Sequence, residues 1–420
     1  MGLFWRKKAR IERERLKRTH RIVCLHCFRG FSHEQVMFRA LEALDAEGYA
    51  AARDEELDGH RARFGLPSAG ELEAALDPGD FAESAKGHRQ GVLVSLRDDY
   101  GNVTERRICP YCHNPLPQAA GFQPPLILAV TGQARAGKST FFTCLIHHIR
   151  NSLPRHYSSH CASVDGETGR FFKESLAVPL LENGTLPVSA LLKEFPDMPI
   201  VFNFALASAA PDVSIVLFDP AGDSGYMDIH AHIARSASGI MLLVDPVSIP
   251  GLGKRLAEMN DPGFDPLFFT ETVDDFGLML LEEAQGANVA VVLTKTDMLK
   301  AAGGEAGGFG ERSAVFSNYF HRGFFDAGEH AAVDAEVHNF LAETCPNFFN
   351  AIKKRHGSRL GFFGVSALGQ MPVAGQVSAL RPVRIGEPFL WLLAEMGLVP
   401  SSVPGPAAGG DDYDYDDGGA

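Results

Sequence analysis

Residues 126–140 read LILAVTGQARAGKST. A short apolar run breaks into a glycine-framed turn and then into Lys-Ser-Thr, ahead of FFTCLIHHIRNSL. The run predicts a buried strand and the last segment a helix packed on a sheet. Between them, Gly132-x-x-x-x-Gly137-Lys138-Ser139 is a phosphate-cradling pattern in the position it must occupy, after a strand and before a helix. Glycines let backbone N–H groups turn toward phosphate oxygens without a Cβ in the way, and the positive end of the following helix adds to the attraction. The cradle comprises Gly132, Gln133, Ala134, Arg135, Ala136, Gly137, Lys138, Ser139 and Thr140. Lys138 is placed to reach the β and γ phosphates and the Ser139 hydroxyl to ligate Mg²⁺.

Further along, PIVFNFAL (199–206), VSIVLF (213–218), GIMLLV (239–244), VAVVLT (289–294) and GFFGVS (361–366) are apolar runs of strand length, rich in Val, Ile and Phe. Helix-like stretches such as DFGLMLLEEAQ lie between them. The alternation predicts an α/β fold with a mostly parallel sheet. PIVFNFAL and VSIVLF are joined by the short loop ASAAPD, which predicts an antiparallel pair, since a parallel crossover needs about a dozen residues or more.

Three short motifs follow later strands. Asp219-Pro220-Ala221-Gly222 comes after VSIVLF; Asp219 can hold Mg²⁺ through water and the Gly222 amide can bond the γ-phosphate. Thr294-Lys295-Thr296-Asp297 follows VAVVL. A carboxylate at 297 can accept from both guanine N1–H and the 2-amino group, a pair that adenine does not offer. The Lys295 stem can lie along the base plane. Ser366-Ala367-Leu368 follows the last strand, where a backbone N–H can contact guanine O6. Each motif sits at the C-terminal end of a strand, where open α/β sheets bind ligands. The expected ligands are GTP and GDP with Mg²⁺.

The set GQARAGKS, DPAG, TKTD and SAL resembles the translation-factor-related (TRAFAC) class of GTPases over roughly residues 124–399. With the paired cysteines described below, the whole chain is similar to the bacterial double-GTPase group, whose members are thought to act beside a second GTPase in conflict or defence-type loci. The resemblance implies the three-layer P-loop NTPase fold and GTP hydrolysis. Two departures stand out. Thr294 replaces the usual Asn, keeping a hydroxyl but losing an amide. Asp223 occupies the place of a water-orienting Gln, so hydrolysis is expected to be slow without a partner. Positive charge near the γ-phosphate is then expected from Arg135, acting in cis beside Lys138 and Asp219 as the catalytic set, or else Arg135 faces solvent. Gln133, His230 and His232 are further candidates; Thr185 and Ser189 are the candidates for an effector-loop Mg²⁺ ligand. Insertions relative to a minimal GTPase are expected near 151–198 and 298–358.

Cys24-x-x-Cys27 and Cys109-x-x-Cys112 supply four thiolates, the number a tetrahedral structural Zn²⁺ takes. RIVCLHCF and RICPYCHN read as two knuckles, the second closing a hairpin of GVLVSLR, DDYGN and VTERRIC. A helical insert (32–78) is expected to loop out between them. His26 and His113 are alternatives to one thiolate, and Cys144, Cys161 and Cys345 stand singly.

The organisation expected is a basic lead-in (1–21), a zinc-ribbon-like module with helical insert (22–117), the GTPase domain (124–399), and a disordered tail (400–420) containing DDYDYDD. The net charge of −13 argues against a general nucleic-acid binder. Partners expected are guanine nucleotide and a protein, with a second GTPase as one possibility and nucleic acid less favoured. No stretch reaches the roughly twenty apolar residues that span a bilayer. The basic start lacks an apolar segment behind it, and the C-x-x-C usage favours metal over disulfides, so the cytoplasm is the expected compartment.

Overall fold

The apolar runs form strands because both of their faces are covered. The computed structural model describes residues 21–42, 48–132, 136–186, 199–207, 211–217, 227–249, 252–253, 256, 284, 286–303, 309–373 and 375–402. The lead-in to residue 20, the tail from 403, DFGLMLL (275–281), Gln133, Ala134, Arg135, Ser189, Asp219, Gly222 and Asp223 lie outside them.

A seven-stranded sheet is built from β1 (Leu126–Gly132), β2 (Ser159–Ser163), β3 (Ile200–Leu206), β4 (Val213–Leu217), β5 (Gly239–Val244), β6 (Asn288–Leu293) and β7 (Leu360–Gly364). Their order is β2-β3-β4-β1-β5-β6-β7. β4, β1, β5, β6 and β7 pair in parallel. β3 is antiparallel to both of its neighbours, as its short link to β4 requires. The helices are α1 (Lys138–Asn151), α2 (Met227–Ser236), α3 (Thr296–Ala302), α4 (Ala327–Thr344), α5 (Pro346–His356) and α6 (Glu387–Glu395).

Alternate residues of each central strand enter opposite cores. Ile127, Ala129, Val216, Ile240, Leu242, Val289 and Val291 pack with Ile229 and Ile233 of α2, Val333 and Val337 of α4, and Phe348 and Ile352 of α5. Leu128, Val130, Ile215, Met241, Leu243, Ala290 and Val292 pack with Phe141, Leu145 and Ile149 of α1 and with Phe389, Trp391 and Leu392 of α6. The result is a three-layer α/β fold with a mostly parallel sheet, consistent with a P-loop-type GTPase fold. Strand β1 has its sequence-later neighbours β4 and β5 on opposite sides, which opens a crevice at its C-terminal end.

The N-terminal module differs from the sequence expectation. Among the described residues of 32–78, one α-helix is present, the nine-residue Glu55–Arg63, capped by the Asp54 carboxylate on the Leu57 N–H. The remainder includes short strands, Met37–Arg39, Ala52–Arg53, Glu71–Leu72 and Ala75–Leu76. Helix-forming composition loses here to tertiary pairing: Met37–Arg39 is held between Arg107–Ile108 and Ala75–Leu76. The expected hairpin is also shorter. Val92–Arg97 pairs with Val103–Thr104 around Gly101 at φ 85°, and the chain then leaves to pair with Met37–Arg39.

The module is seated on the core. Val23, Phe28 and Phe64 share an apolar cluster with Ile229 and Ile233 of α2. Phe28 is 1% exposed, and its carbonyl accepts from Ser236 Oγ at 3.2 Å. Arg61 forks onto both carboxylate oxygens of Glu167 at 3.2 and 3.0 Å.

Candidate nucleotide crevice and cysteine cluster

Strand β1 delivers the chain to the crevice through Gly132, where a Cβ would stand 2.6 Å from the Leu243 carbonyl oxygen. Only glycine lets the loop leave so close to β5. Gly137 enters α1 in the left-handed region, at φ 81° and ψ 23°, and contributes no side-chain cap. The first N–H groups of the fourteen-residue α1 therefore meet the crevice without a capping side chain. Lys138 is 3% exposed and reaches back to the end of β1, donating from Nζ to the Gly132 carbonyl at 2.9 Å. Ser139 and Thr140 are half-buried beside it. An uncapped helix start with a buried lysine beside it is suited to phosphate oxygens.

Thr294 follows the last residue of β6 and ties Ala136 to the sheet. Its Oγ1 lies 3.2 Å from the carbonyl oxygens of both Ala136 and Val244. The hydroxyl left by the Asn-to-Thr departure thus reaches the loop by a side-chain bond of its own. Lys295 follows in the left-handed conformation, with Nζ 2.5 Å from Asp245 Oδ2. Asp297, in the first turn of α3, accepts from Ser366 Oγ at 2.5 Å, and that oxygen accepts from the Gly369 N–H at 2.8 Å. Asp297, Lys300, Phe316, Ser366, Gly369 and Met371 line a cavity of about 350 Å³. Ala367 and Leu368 are half-buried, and the Leu368 carbonyl accepts from Arg381 N–H at 3.0 Å, closing the loop beyond Ser366.

The loop wall has a buried anchor. Val383 pairs with Ser366, and Arg384 binds Glu387 through Nε at 2.5 Å and through Nη2 at 2.7 Å. His330 Nδ1 lies 3.0 Å from the same carboxylate. Burial opposes charge on Glu387, but His330 and Arg384 together hold its carboxyl below the usual range. Burial likewise opposes protonation of His330, but Asp334 and Glu387 raise its pKa overall.

Lys138, Ser139, Thr294, Lys295, Asp297 and Ser366 thus converge at the C-terminal ends of β1, β6 and β7. Arg135, Asp219 and Gly222 lie outside the described residues. Thr185 is placed against Gln376, which donates from Nε2 to its hydroxyl at 3.1 Å. His232 shares a small cavity with Cys27 and Cys112. Sequence reasoning missed Asp245, whose Asp-Pro context at the end of a strand reads as an ordinary turn; it is 1% exposed.

The four cysteines of the module converge from two similar knuckles. Cys24 N–H and Cys109 N–H close their turns on the Arg29 and Asn114 carbonyls, and Phe28 and His113, each following the second cysteine, sit at φ 56° and 51°. Cys24 Sγ is 3.7 Å from Cys112 Sγ, Cys27 Sγ is 3.7 Å from Cys109 Sγ, and all four sulfurs lie within 4.8 Å of one another. A tetrahedron with Zn–S bonds of about 2.3 Å has edges of about 3.8 Å, whereas a disulfide needs about 2.05 Å. The donor set fits a four-coordinate Zn²⁺. The His26 and Tyr111 N–H groups point at Cys24 and Cys109 Sγ at 3.4 Å, and Asn114 Nδ2 at Cys112 Sγ at the same distance. His113 turns its Nδ1 to Asp54 at 2.9 Å and so serves that carboxylate rather than the cluster. Burial pushes the Cys24 thiol up, and the bond to Cys109 pushes Cys27 up. Bonds from Cys109, Cys24 and Cys27 pull Cys112 down. Four buried sulfurs at these separations form a donor set that a cation would complete.

No protein-family model matches the chain. It is 24% identical over 318 residues to the putative ESX-1 scaffolding and assembly protein SaeC of Mycolicibacterium smegmatis, a match covering 70% of this chain and 80% of that protein. Among solved structures, it is similar to the GTPase-like domain of S. cerevisiae Ski7 bound to GTP, with a TM-score of 0.31 and 14% identity. That match covers 65% of this chain and half of the yeast chain.

Proposed function

We propose that the chain is a Mg²⁺-dependent guanine-nucleotide-binding protein that hydrolyses GTP slowly and acts as a switch on a protein partner. The observation that carries this reading is the Asp297–Ser366 pair, which fixes a carboxylate in a cavity beside the loop that ends at Lys138. Ser366 occupies one lone pair of Asp297, leaving acceptor capacity for the N1–H and 2-amino edge of guanine.

Each residue has a distinct task in this reading. The amides of the phosphate loop and Lys138 hold the β and γ phosphates, and Thr294 keeps Ala136 from drifting off them. Ser139 and Asp219 would hold Mg²⁺, which supplies charge neutralisation on the phosphates. The Gly222 amide would meet the γ-phosphate, and Arg135 would add positive charge in cis. With Asp223 in the water-orienting position, hydrolysis is slow until a partner supplies what is missing. Zn²⁺ on four protein ligands has no open position, so its role is structural. The SaeC relative suggests assembly of a larger complex as the setting; a bacterial conflict or defence-type system with a second GTPase is the reading from the resemblance of the whole chain's architecture.

A GTP-gated interaction protein with negligible hydrolysis is the second reading, favoured by Asp223. Calorimetry with excess Mg²⁺ is expected to show guanine nucleotides binding at least tenfold tighter than adenine nucleotides; equal binding, or none, overturns the proposal. Single-turnover hydrolysis then separates the two readings, and Arg135→Ala is expected to slow it. Among the described residues no helix is long and apolar enough to cross a membrane; we place the protein in the cytoplasm on its thiol chemistry.

A further inference from the structure

Lys295 and Asp297 are two residues apart at the mouth of the base cavity, and opposite charges at that spacing on a bent backbone are a hazard. If the Lys295 ammonium swung onto Asp297, it would occupy the acceptor that reads guanine. The structure holds it elsewhere. Lys295 sits at φ 52° and ψ 38°, a left-handed conformation uncommon for a side chain of its size. Its stem crosses the crevice, with Cε 3.9 Å from where a Cβ on Gly137 would lie. Its Nζ ends 2.5 Å from Asp245 Oδ2.

Asp245 is built for that contact. It stands directly after β5 and is 1% exposed. Its Oδ1 accepts from the Val247 N–H at 2.9 Å, which aims Oδ2 across to the end of β6. A buried carboxylate is costly unless paired, and replacing such a pair by neutral groups often leaves stability unchanged or improved. Retaining a charged pair at this place is therefore better explained by what it does to Lys295 than by stability. Its lysine passes beside Gly137, the glycine that starts α1, and stands two residues from the carboxylate in the base cavity.

We infer that Asp245 is a specificity-determining positioning residue: it parks the Lys295 ammonium, lays the lysine stem across the crevice as a flat apolar platform, and leaves Asp297 free to read the purine edge. This rests on the guanine-nucleotide reading above. Asp245 does not touch the nucleotide; it acts through Lys295.

The test is a double-mutant cycle read as the ratio of ADP to GDP dissociation constants, measured by calorimetry on the full chain. Asp245→Asn frees the ammonium, and the ratio is expected to fall about tenfold, or about 1.4 kcal/mol. Lys295→Met in the Asp245→Asn background removes the competitor while keeping an apolar stem, and the ratio is expected to return to within about threefold of wild type. A merely structural carboxylate would not produce that recovery. An unchanged ratio in Asp245→Asn overturns the inference, as does a double variant that discriminates no better than Asp245→Asn. If Asp245→Asn fails to fold, the charge-free double variant decides alone: wild-type discrimination supports the inference and its loss overturns it. A wild-type protein that binds no guanine nucleotide overturns the functional reading as well, whereas a discriminating wild type with an indifferent Asp245→Asn overturns only this step.

Discussion

The cysteine cluster and the nucleotide crevice are both built where chain segments far apart in sequence converge, yet they are organised in opposite ways. The cluster gathers four buried cysteines, paired at 3.7 Å, within a small apolar core whose strands are only two to six residues long. The crevice is framed by a seven-stranded sheet with a core on each face, and its charged groups are already bonded to one another. On the reading proposed above, one region would take a ligand to complete its structure, and the other would use a structure already formed to select a ligand. The contrast predicts that chelator should strike the module and spare the crevice, while loss of crevice side chains should strike binding and spare the fold.

The largest effect is expected at Cys109. Cys109→Ser removes one of four ligands, and structural zinc sites contribute on the order of 10 kcal/mol to the folding of small modules. Zinc content by mass spectrometry should fall from one per chain toward zero, and residues 22–117 should lose protection from hydrogen exchange while β1, β5 and β6 keep theirs. Loss of protection across the whole sheet would break the contrast, because it would make the core depend on the metal. Phe28→Ala tests the joint between the two regions. Phe28 is 1% exposed against α2, and truncating a buried Phe costs about 3–5 kcal/mol. Denaturant unfolding should show the module loosening from the core, with zinc retained.

A smaller effect is expected at Thr294, within the crevice. Thr294→Val keeps the shape and removes the donor shared by the Ala136 and Val244 carbonyls. One hydrogen bond is worth about 1 kcal/mol, so GDP affinity by calorimetry should weaken about fivefold with the melting temperature nearly unmoved.

How legible these regions were in the sequence follows from the same contrast. The central strands could be read because burial on both faces makes them apolar at every position, as in GIMLLV, and Gly132, Lys138, Thr294, Asp297 and Ser366 could be placed because each follows such a run. Strand β2, SHCAS, could not: it lies at the sheet edge and mixes polar with small residues. The module's insert misled because strands of two or three residues are set by pairing partners rather than by their own composition. Asp245 was hidden for another reason. Its importance lies in one contact with a residue fifty positions away, and nothing local distinguishes it from a turn-forming aspartate.

The least intrusive way to sharpen the contrast is pH. The loop behind Ser366 is anchored by titratable groups, Glu387 between Arg384 and His330, whereas the module is expected to depend on a metal. His330 has a raised folded-state pKa, so its contribution is fully present below about 6.5, the unfolded value, and is lost as pH rises through the folded value. Glu387 has a lowered one, so its contribution is present above about 4.3 and is lost as pH falls through the folded value. The anchor should therefore be firmest at mildly acid pH, between those limits. His330→Gln should flatten the decline in core melting temperature from about pH 6 to pH 8, measured with zinc saturating so that the module stays silent. If the slope is the same with and without His330, the anchor owes nothing to that proton.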